Sequence, residues 1–323
     1  MLRNSTFWGK RPSVDRIVFK FITNTDSEVQ ALRGGEIDAA YPQPQLQLAE
    51  LKRQSGLRVQ SKPGSSLEHL DFNVGPKSGN PLLRQKWFRQ AIAYSLDRRG
   101  MTRQLFTTLT PGLRELNSLS FTVQSRYYQA RFARYTRNVR RVTQLFRSHG
   151  CKKGGDGIWS CGGQRASVRL GTMAGNRLRE LAVEIMQAQA KSAGIEFRPD
   201  SQPSRLFFPR ISDENYDLAI FAWLGTGDPS GQVDVYGIGG GSNWKGYRNA
   251  KVTSLFARSD ATLDVKTRMA LVNRAEAILA GDLPTIPLYQ KPTYFVYKAK
   301  LKGLVDNPTI AGPTWNAEHW RTG

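Results

Sequence analysis

No apolar run in this 323-residue chain approaches the ~18 residues that a membrane-crossing helix needs. Residues 1–6 hold no apolar stretch, so the chain does not read as an intact secretory precursor. Histidine is scarce: His69, His149 and His319 are the whole complement, and no two stand at metal-ligating spacing. Cys151 and Cys161 are the only cysteines. They are too few for a disulfide-rich scaffold or a four-cysteine zinc module, and with His149 they offer three soft ligands but no fourth. There is no G-x-S-x-G elbow and no lysine-bearing phosphate loop. Gly239, Gly240 and Gly241 lack that lysine and read as a flexible loop. No nucleophile–base pair or carboxylate pair can be assembled, so neither an enzyme, a metal site nor a cofactor is expected.

Acidic residues are missing in one place. The net charge is +21, and residues 76–170 carry 19 basic groups against Asp97, Glu115 and Asp156 alone. An excess of this size suits an acidic partner, nucleic acid or an anionic surface. It equally suits an arginine-rich solvated face. Aromatic residues that could stack on bases lie in the same stretch: Trp87, Tyr94, Phe106, Phe121, Tyr127 and Tyr128. No recognised nucleic-acid motif accompanies them.

Apolar periodicity organises the rest. Residues 14–21 alternate as a strand, Thr25 or Asp26 can cap a helix that Gly34 and Gly35 stop, and residues 36–41 form a short strand before Pro42. Strand, helix and strand in 30 residues predict a βαβ unit and α/β architecture. Residues 46–53 read as a short helix, and residues 57–60 and 67–73 as strands. Beyond Pro81, Trp87, Ala91, Tyr94 and Ser95 share one helical face, with Arg84, Lys86, Arg89, Arg98 and Arg99 mostly around it. Residues 107–135 show no period and are expected to be a long surface loop. Val139, Val142, Leu145 and Phe146 mark a helix whose solvated side carries Arg137, Arg140, Arg141 and Arg147. Residues 178–193 and 267–280 read as helices, and residues 217–223 as a buried strand.

Between the cysteines, Gly155, Asp156 and Gly157 signal a turn. Folding it brings Cys151 and Cys161 within bridging reach across a hairpin, although reduced thiols stay open. A bridge would imply an oxidising, extracytoplasmic compartment.

Nine phrases occur in an order that resembles one family: RNSTFWGKRPSVDRIVFKF, ALRGGEIDAAYP, LEHLDFNVG, RQAIAYSLDRR, GDGIWSCGGQRASVRL, QAQAKSAGIEF, YDLAIFAW, SNWKGYRNAKV and IPLYQKP. Together they resemble the family 5 extracytoplasmic solute-binding proteins of ABC transporters, of the oligopeptide, dipeptide and nickel type. The resemblance implies a two-lobed α/β fold, periplasmic-binding-protein-like (type II), with one lobe incomplete because the start matches a point well inside the family's chain. Residues 1–75 would be part of the first lobe, 76–290 the second lobe, and 291–323 a return to the first. Hinge strands would lie at Phe72 and Asn73 and at Tyr289 and Pro292. It further implies an extracytoplasmic monomer, lipid-anchored in its full-length form, which hands a peptide or other small solute to ABC permease subunits.

The family's ligand strand resembles residues 216–229. By that resemblance Trp223, Leu224, Gly225, Thr226 and Asp228, with Asn243 and Trp244, are the candidate ligand-binding residues. Trp223 also reads as a plain core aromatic. In peptide binders of the family an Asp three residues past the Trp holds the ligand's α-ammonium. Here Thr226 stands in that place, and a hydroxyl carries no charge, so either Asp228 shifts into the role or the ligand is no free-amine peptide. The rival reading is a basic protein binding nucleic acid or an anionic surface through residues 76–170.

Overall fold

A computed structural model describes residues 1–323. The chain runs through α1 (Thr25–Gly34), β1 (Ala39–Ala40), a 3-10 segment (Leu46–Arg53), β2 (Leu57–Gln60) and β3 (Pro63–Phe72). Next come α2 (Pro81–Arg84), α3 (Lys86–Ser95) and α4 (Arg98–Phe106). After an irregular stretch follow α5 (Val139–Ser148), β4 (Lys152–Lys153), β5 (Trp159–Cys161), β6 (Gln164–Arg165) and β7 (Ser167–Gly171). Then come α6 (Arg177–Ser192), β8 (Glu196–Pro199), α7 (Ser204–Ser212), β9 (Leu218–Leu224) and α8 (Gln232–Tyr236). The chain closes with α9 (Ala250–Asp260), α10 (Val265–Asp282), β10 (Thr285–Pro292), β11 (Phe295–Lys298), β12 (Leu301–Lys302) and β13 (Arg321–Thr322).

These elements gather into two compact units, Met1–Ser65 with Leu105–Leu113 and Lys291–Gly323, and Ser66–Gln104 with Arg114–Gln290. In the first, β11 pairs antiparallel with both β1 and β2. Its helix α1 begins at Asn24, whose side chain accepts the Ser27 N–H, and ends at Gly35 with φ 84°, a conformation that glycine adopts without penalty. In the second, a five-stranded sheet has the order β10-β3-β9-β7-β8. Strand β7 is parallel to β8 and to β9, whereas β3 is antiparallel to β9. The β7–α6–β8 crossover buries Leu178, Ala182, Val183, Met186 and Ala190 of α6. Cys151 and Cys161 are joined in a disulfide across the β4–β5–β6 hairpin sheet.

Several expectations need correction. Residues 14–21 form no strand: an isolated bridge from Leu2 to Arg16 is their only ladder contact, and Phe21 is 94% exposed. The early βαβ unit therefore does not exist, since β1 pairs antiparallel with β11. Alternation shows which residues want cover, but a strand needs a partner to form.

Residues 107–135 are irregular, yet they are no surface loop, because Leu109, Leu116, Leu119, Phe121, Phe132 and Tyr135 are buried. Irregular backbone survives burial only when its polar groups find partners. Arg98 supplies them, donating to the carbonyls of Leu116, Phe132 and Tyr135 and to Asn117 Oδ1. Glu276 answers from the other side by accepting the N–H groups of Leu119 and Ser120. Arg98 is thus buried, not part of a solvated rim. Arg89 is buried as well, donating to the carbonyls of Leu83, Asp282 and Leu283, where it caps α10.

Set beside the expected 1–75, 76–290 and 291–323, the division of the chain has the same break at 290/291 but a different earlier one. It falls between Ser65 and Ser66, and Leu105–Leu113 joins the first unit. There Lys52 Nζ donates to the Thr108 and Leu109 carbonyls, and the Ser61 and Thr110 hydroxyls meet at 2.6 Å. Phe72 and Asn73, expected at a crossing, lie inside the second unit. The Phe72 N–H donates to the Pro284 carbonyl, and Asn73 Nδ2 donates to the carbonyls of Glu214 and Tyr216. The other passage falls between Gln290 and Lys291, within β10.

Candidate functional site: the aromatic face at the end of β9

Strand β9 reads LAIFAWL and lies between β3 and β7. Its register sets Leu67 opposite Trp223, His69 opposite Phe221 and Asp71 opposite Ala219. Because side chains alternate along a strand, those six residues share one face. Helix α7 covers that face with Phe207 and Ile211, and Tyr216, Met173 and Trp244 complete the cluster. Trp223 stacks near-parallel to His69 at 6.3 Å, meets Phe221 edge-on at 5.6 Å and leans on Trp244, also at 5.6 Å. Phe208 reaches Trp244 at 6.2 Å and is 39% exposed.

The outer edge of β9 is the second feature. Strand β7 pairs with β9 at Leu218 and Ala219 only. The Thr172 hydroxyl bonds the Ile220 carbonyl just beyond. From Phe221 to Leu224 the strand has β3 on one side and no strand on the other, and Leu224 is 63% exposed. The Trp223 Nε1–H, the His69 Nε2 and the Tyr216 hydroxyl are buried and take no hydrogen bond from the chain. Buried polar atoms in folded proteins are nearly always paired, so three on one face set it apart.

Charged residues hold this face from beneath. His69 Nδ1 faces the Leu67 carbonyl at 3.0 Å, which makes it the donor and leaves Nε2 an acceptor. Burial pushes the His69 pKa down, against the pull of Asp71 whose Oδ1 is 3.9 Å away. Asp71 in turn accepts from the Thr285 hydroxyl and pairs with Lys245 at 3.2 Å, both charges being buried. Lys245 also donates to the Val235 carbonyl and sits over the Tyr236 ring at 4.8 Å. Anchoring Lys245 fixes its neighbour Trp244 against Trp223. Gly246, at φ 64°, packs so close to Gly75 that any Cβ would collide with it.

The candidates from the sequence fall into two groups. Trp223, Leu224 and Trp244 form the face and its edge, and Gly225 is the first residue past the strand. The other three are engaged locally. Asn243 donates to the carbonyls of Gly237 and Tyr247 and accepts the Tyr247 N–H, so it staples the glycine-rich turn. That turn is tied, not the flexible loop expected, since Asp234 also accepts the Gly241 N–H. The Thr226 hydroxyl donates to the Asp228 carbonyl, and the Asp228 carboxylate pairs with Arg268 at 2.5 Å. Asp228 is the one carboxylate in residues 223–228: Arg268 takes its Oδ2, and its Oδ1 has no hydrogen-bond partner.

Sequence reasoning missed His69, Asp71, Lys245 and Phe208. In LEHLDF polar and apolar residues fill both strand faces, and only the register shows that His69 and Asp71 lie under Trp223. The aromatic residues invoked for base stacking are otherwise engaged. Phe106 and Phe121 are buried, Trp87 stacks on His149 at 4.3 Å, and the Tyr128 hydroxyl accepts the Asn117 N–H. No group of three His, Cys, Asp or Glu is placed to hold a metal ion.

A sequence profile of the bacterial extracellular solute-binding proteins, family 5 middle, matches residues 1–246. The chain is 25% identical over 294 residues to the oligopeptide-binding protein OppA of Mycobacterium tuberculosis, covering 90% of this chain and 49% of that one. It is similar in fold to the periplasmic EDTA-binding protein EppA, with a TM-score of 0.88, 19% identity, all of this chain and 61% of that one. The oligopeptide-binding protein AppA of Bacillus subtilis, in complex with a nonapeptide, superposes with a TM-score of 0.81 at 21% identity, over all of this chain and 66% of that one. The chain spans about half the length of the curated relative it matches. It belongs to the family 5 bacterial extracellular solute-binding proteins.

Proposed function

We propose that this chain, as a member of that family, is the solute-capturing part of an ABC importer. It takes up a peptide-like or other small solute and passes it to permease subunits outside the cytoplasm, the full-length form being lipid-anchored. The relatives named for peptides and for EDTA support the class. The observation that carries the reading is the unpaired edge of β9 beside Trp223 and Trp244. An extended ligand can add to such an edge as a strand, its backbone bonded to β9 and its side chains lodged against the rings. The buried Trp223 Nε1–H offers a donor to a ligand oxygen. The passages between the units, near Ser65 and near Gln290, are where hinge motion would be absorbed.

The locked Asp228 narrows the solute. With Arg268 on one oxygen of its carboxylate and Thr226 uncharged, this edge offers only a part-neutralised partner to an α-ammonium. The favoured ligands are those with a blocked or absent amine, including carboxylate chelates. Tryptophan fluorescence and calorimetry test this with N-acetylated peptides, free-amine peptides and metal–EDTA. Binding that weakens at least tenfold in Trp223→Ala is expected. If none of the three ligand types binds, or if Trp223→Ala binds as wild type does, the site is elsewhere.

A further inference from the structure

None of the basic residues of 76–170 belongs to the aromatic cluster at β9, and two sets among them stand apart. One set serves the fold: Arg89, Arg98, Arg134 and Arg137 all donate to backbone carbonyls. A second set stands exposed with no acidic partner: Arg140, Arg141, Arg147, Lys152 and Lys153. Arg147, Lys152 and Lys153 line one surface concavity of about 440 Å³, together with Thr143, Cys151 and Trp159. Arg140, Thr143 and Arg147 are three and four apart on α5 and so form one stripe leading into it.

We propose that this concavity is a binding site for a phosphate-bearing anion. No acidic residue lines it, and residues 138–155 contain none. Asp156, the nearest in sequence, is held by Arg165. Three arginines elsewhere in the same unit do have carboxylates: Arg169 with Asp217, Arg179 with Glu68, Arg210 with Asp200. Cations left unmatched around one hollow repel each other, and an anion with several oxygens relieves that repulsion while accepting from each of them. The floor is preorganised. The disulfide ties β5 to the residue preceding β4, and the Lys153 ammonium lies over the buried Trp159 ring at 5.5 Å, which steers the lysine stem. A lipid headgroup and a free phosphate present the same chemistry to these three side chains.

Two titrations distinguish the sources. Vesicles of phosphatidylglycerol mixed with phosphatidylcholine are compared with pure phosphatidylcholine by co-sedimentation, and sodium pyrophosphate is titrated while amide chemical shifts are followed. The triple variant Arg147→Gln, Lys152→Gln, Lys153→Gln is set beside Arg84→Gln, Arg99→Gln, Arg103→Gln, which removes the same charge from other exposed positions of that unit. The first triple variant is expected to weaken binding on the order of a hundredfold, and the control severalfold at most. Co-sedimentation with anionic vesicles that is lost in the first triple variant, without amide shifts from pyrophosphate alone, identifies a headgroup, and amide shifts from pyrophosphate without co-sedimentation identify a free anion. Equal losses in the two variants, no binding in either arm, or tighter binding of duplex DNA than of both probes at physiological salt would overturn the proposal. Circular dichroism of the variants checks that the fold is kept.

Discussion

Arg179 grips Glu68 through two charge-assisted hydrogen bonds, of 3.0 Å from Nε and 2.9 Å from Nη2, with both side chains buried. Glu68 lies on β3 and Arg179 in the first turn of α6, so the pair pins the crossover helix to the sheet face opposite Trp223. Removing one partner leaves an uncompensated buried charge, which typically costs about 3–5 kcal/mol. Arg179→Met and Glu68→Gln should each lose that much in urea denaturation. The joint replacement Glu68→Met with Arg179→Leu should recover most of it. A single variant as stable as wild type would show that the pair does not hold the helix.

The hairpin disulfide closes a short loop, since its cysteines are 10 apart in sequence. Chain-entropy reasoning assigns such a loop roughly 2–3 kcal/mol. Reduction, or Cys151→Ser with Cys161→Ser, should lower stability by that amount. Thiol titration of unfolded, non-reduced protein should find none reactive.

His69 sets a pH dependence. Burial holds its folded pKa below the ordinary 6.5; Asp71 and Lys245 lie on its own face, and Glu68 acts on it from the other side of the sheet. Between those two values the unfolded chain binds the proton and the folded one does not. The stability is therefore full above about pH 6.5 and is lost as pH falls toward the folded value. The variant His69→Asn, which can keep a donor toward the Leu67 carbonyl, should flatten the denaturation midpoint over that window. Glu276 and Asp306, both raised by burial, act in the opposite sense at lower pH. Unchanged slopes would show that His69 already carries a proton in the fold.

Arg268 pairs with Asp228, the one carboxylate of residues 223–228. Substituting Arg268→Leu should release Asp228 and improve binding of free-amine over N-acetylated peptides by roughly 1.5–3 kcal/mol, the range for a charged hydrogen bond. Calorimetry on paired peptides measures it. An equal gain for both peptides would mean that Asp228 does not face the ligand.

Local rules were legible where a segment's partner did not matter. The helix at α1 with its Gly35 stop, the amphipathic α6 and the buried β9 all follow from spacing, because each depends on the residues within it, although the α1 cap is Asn24 and not the expected Thr25 or Asp26. The cysteine hairpin was legible for the same reason, as its turn residues lie between the two sulfurs. Trp223 and Trp244 were reached through family resemblance, not through periodicity, which reads any ring on a strand as core. Tertiary structure alone decided the rest. Residues 14–21 alternate like a strand but pair only through the single Leu2–Arg16 bridge, and residues 107–135 carry no period yet are buried because Arg98 and Glu276 satisfy their backbone. Arg89 and Arg98 look like a solvated face in the sequence, but carbonyls gathered from distant segments draw them inside. Likewise Asp228 is an open carboxylate on paper, and a helix 40 residues further on, by its Arg268, neutralises it. In each case the deciding group is remote in the chain, and a one-dimensional pattern carries no record of which remote group arrives.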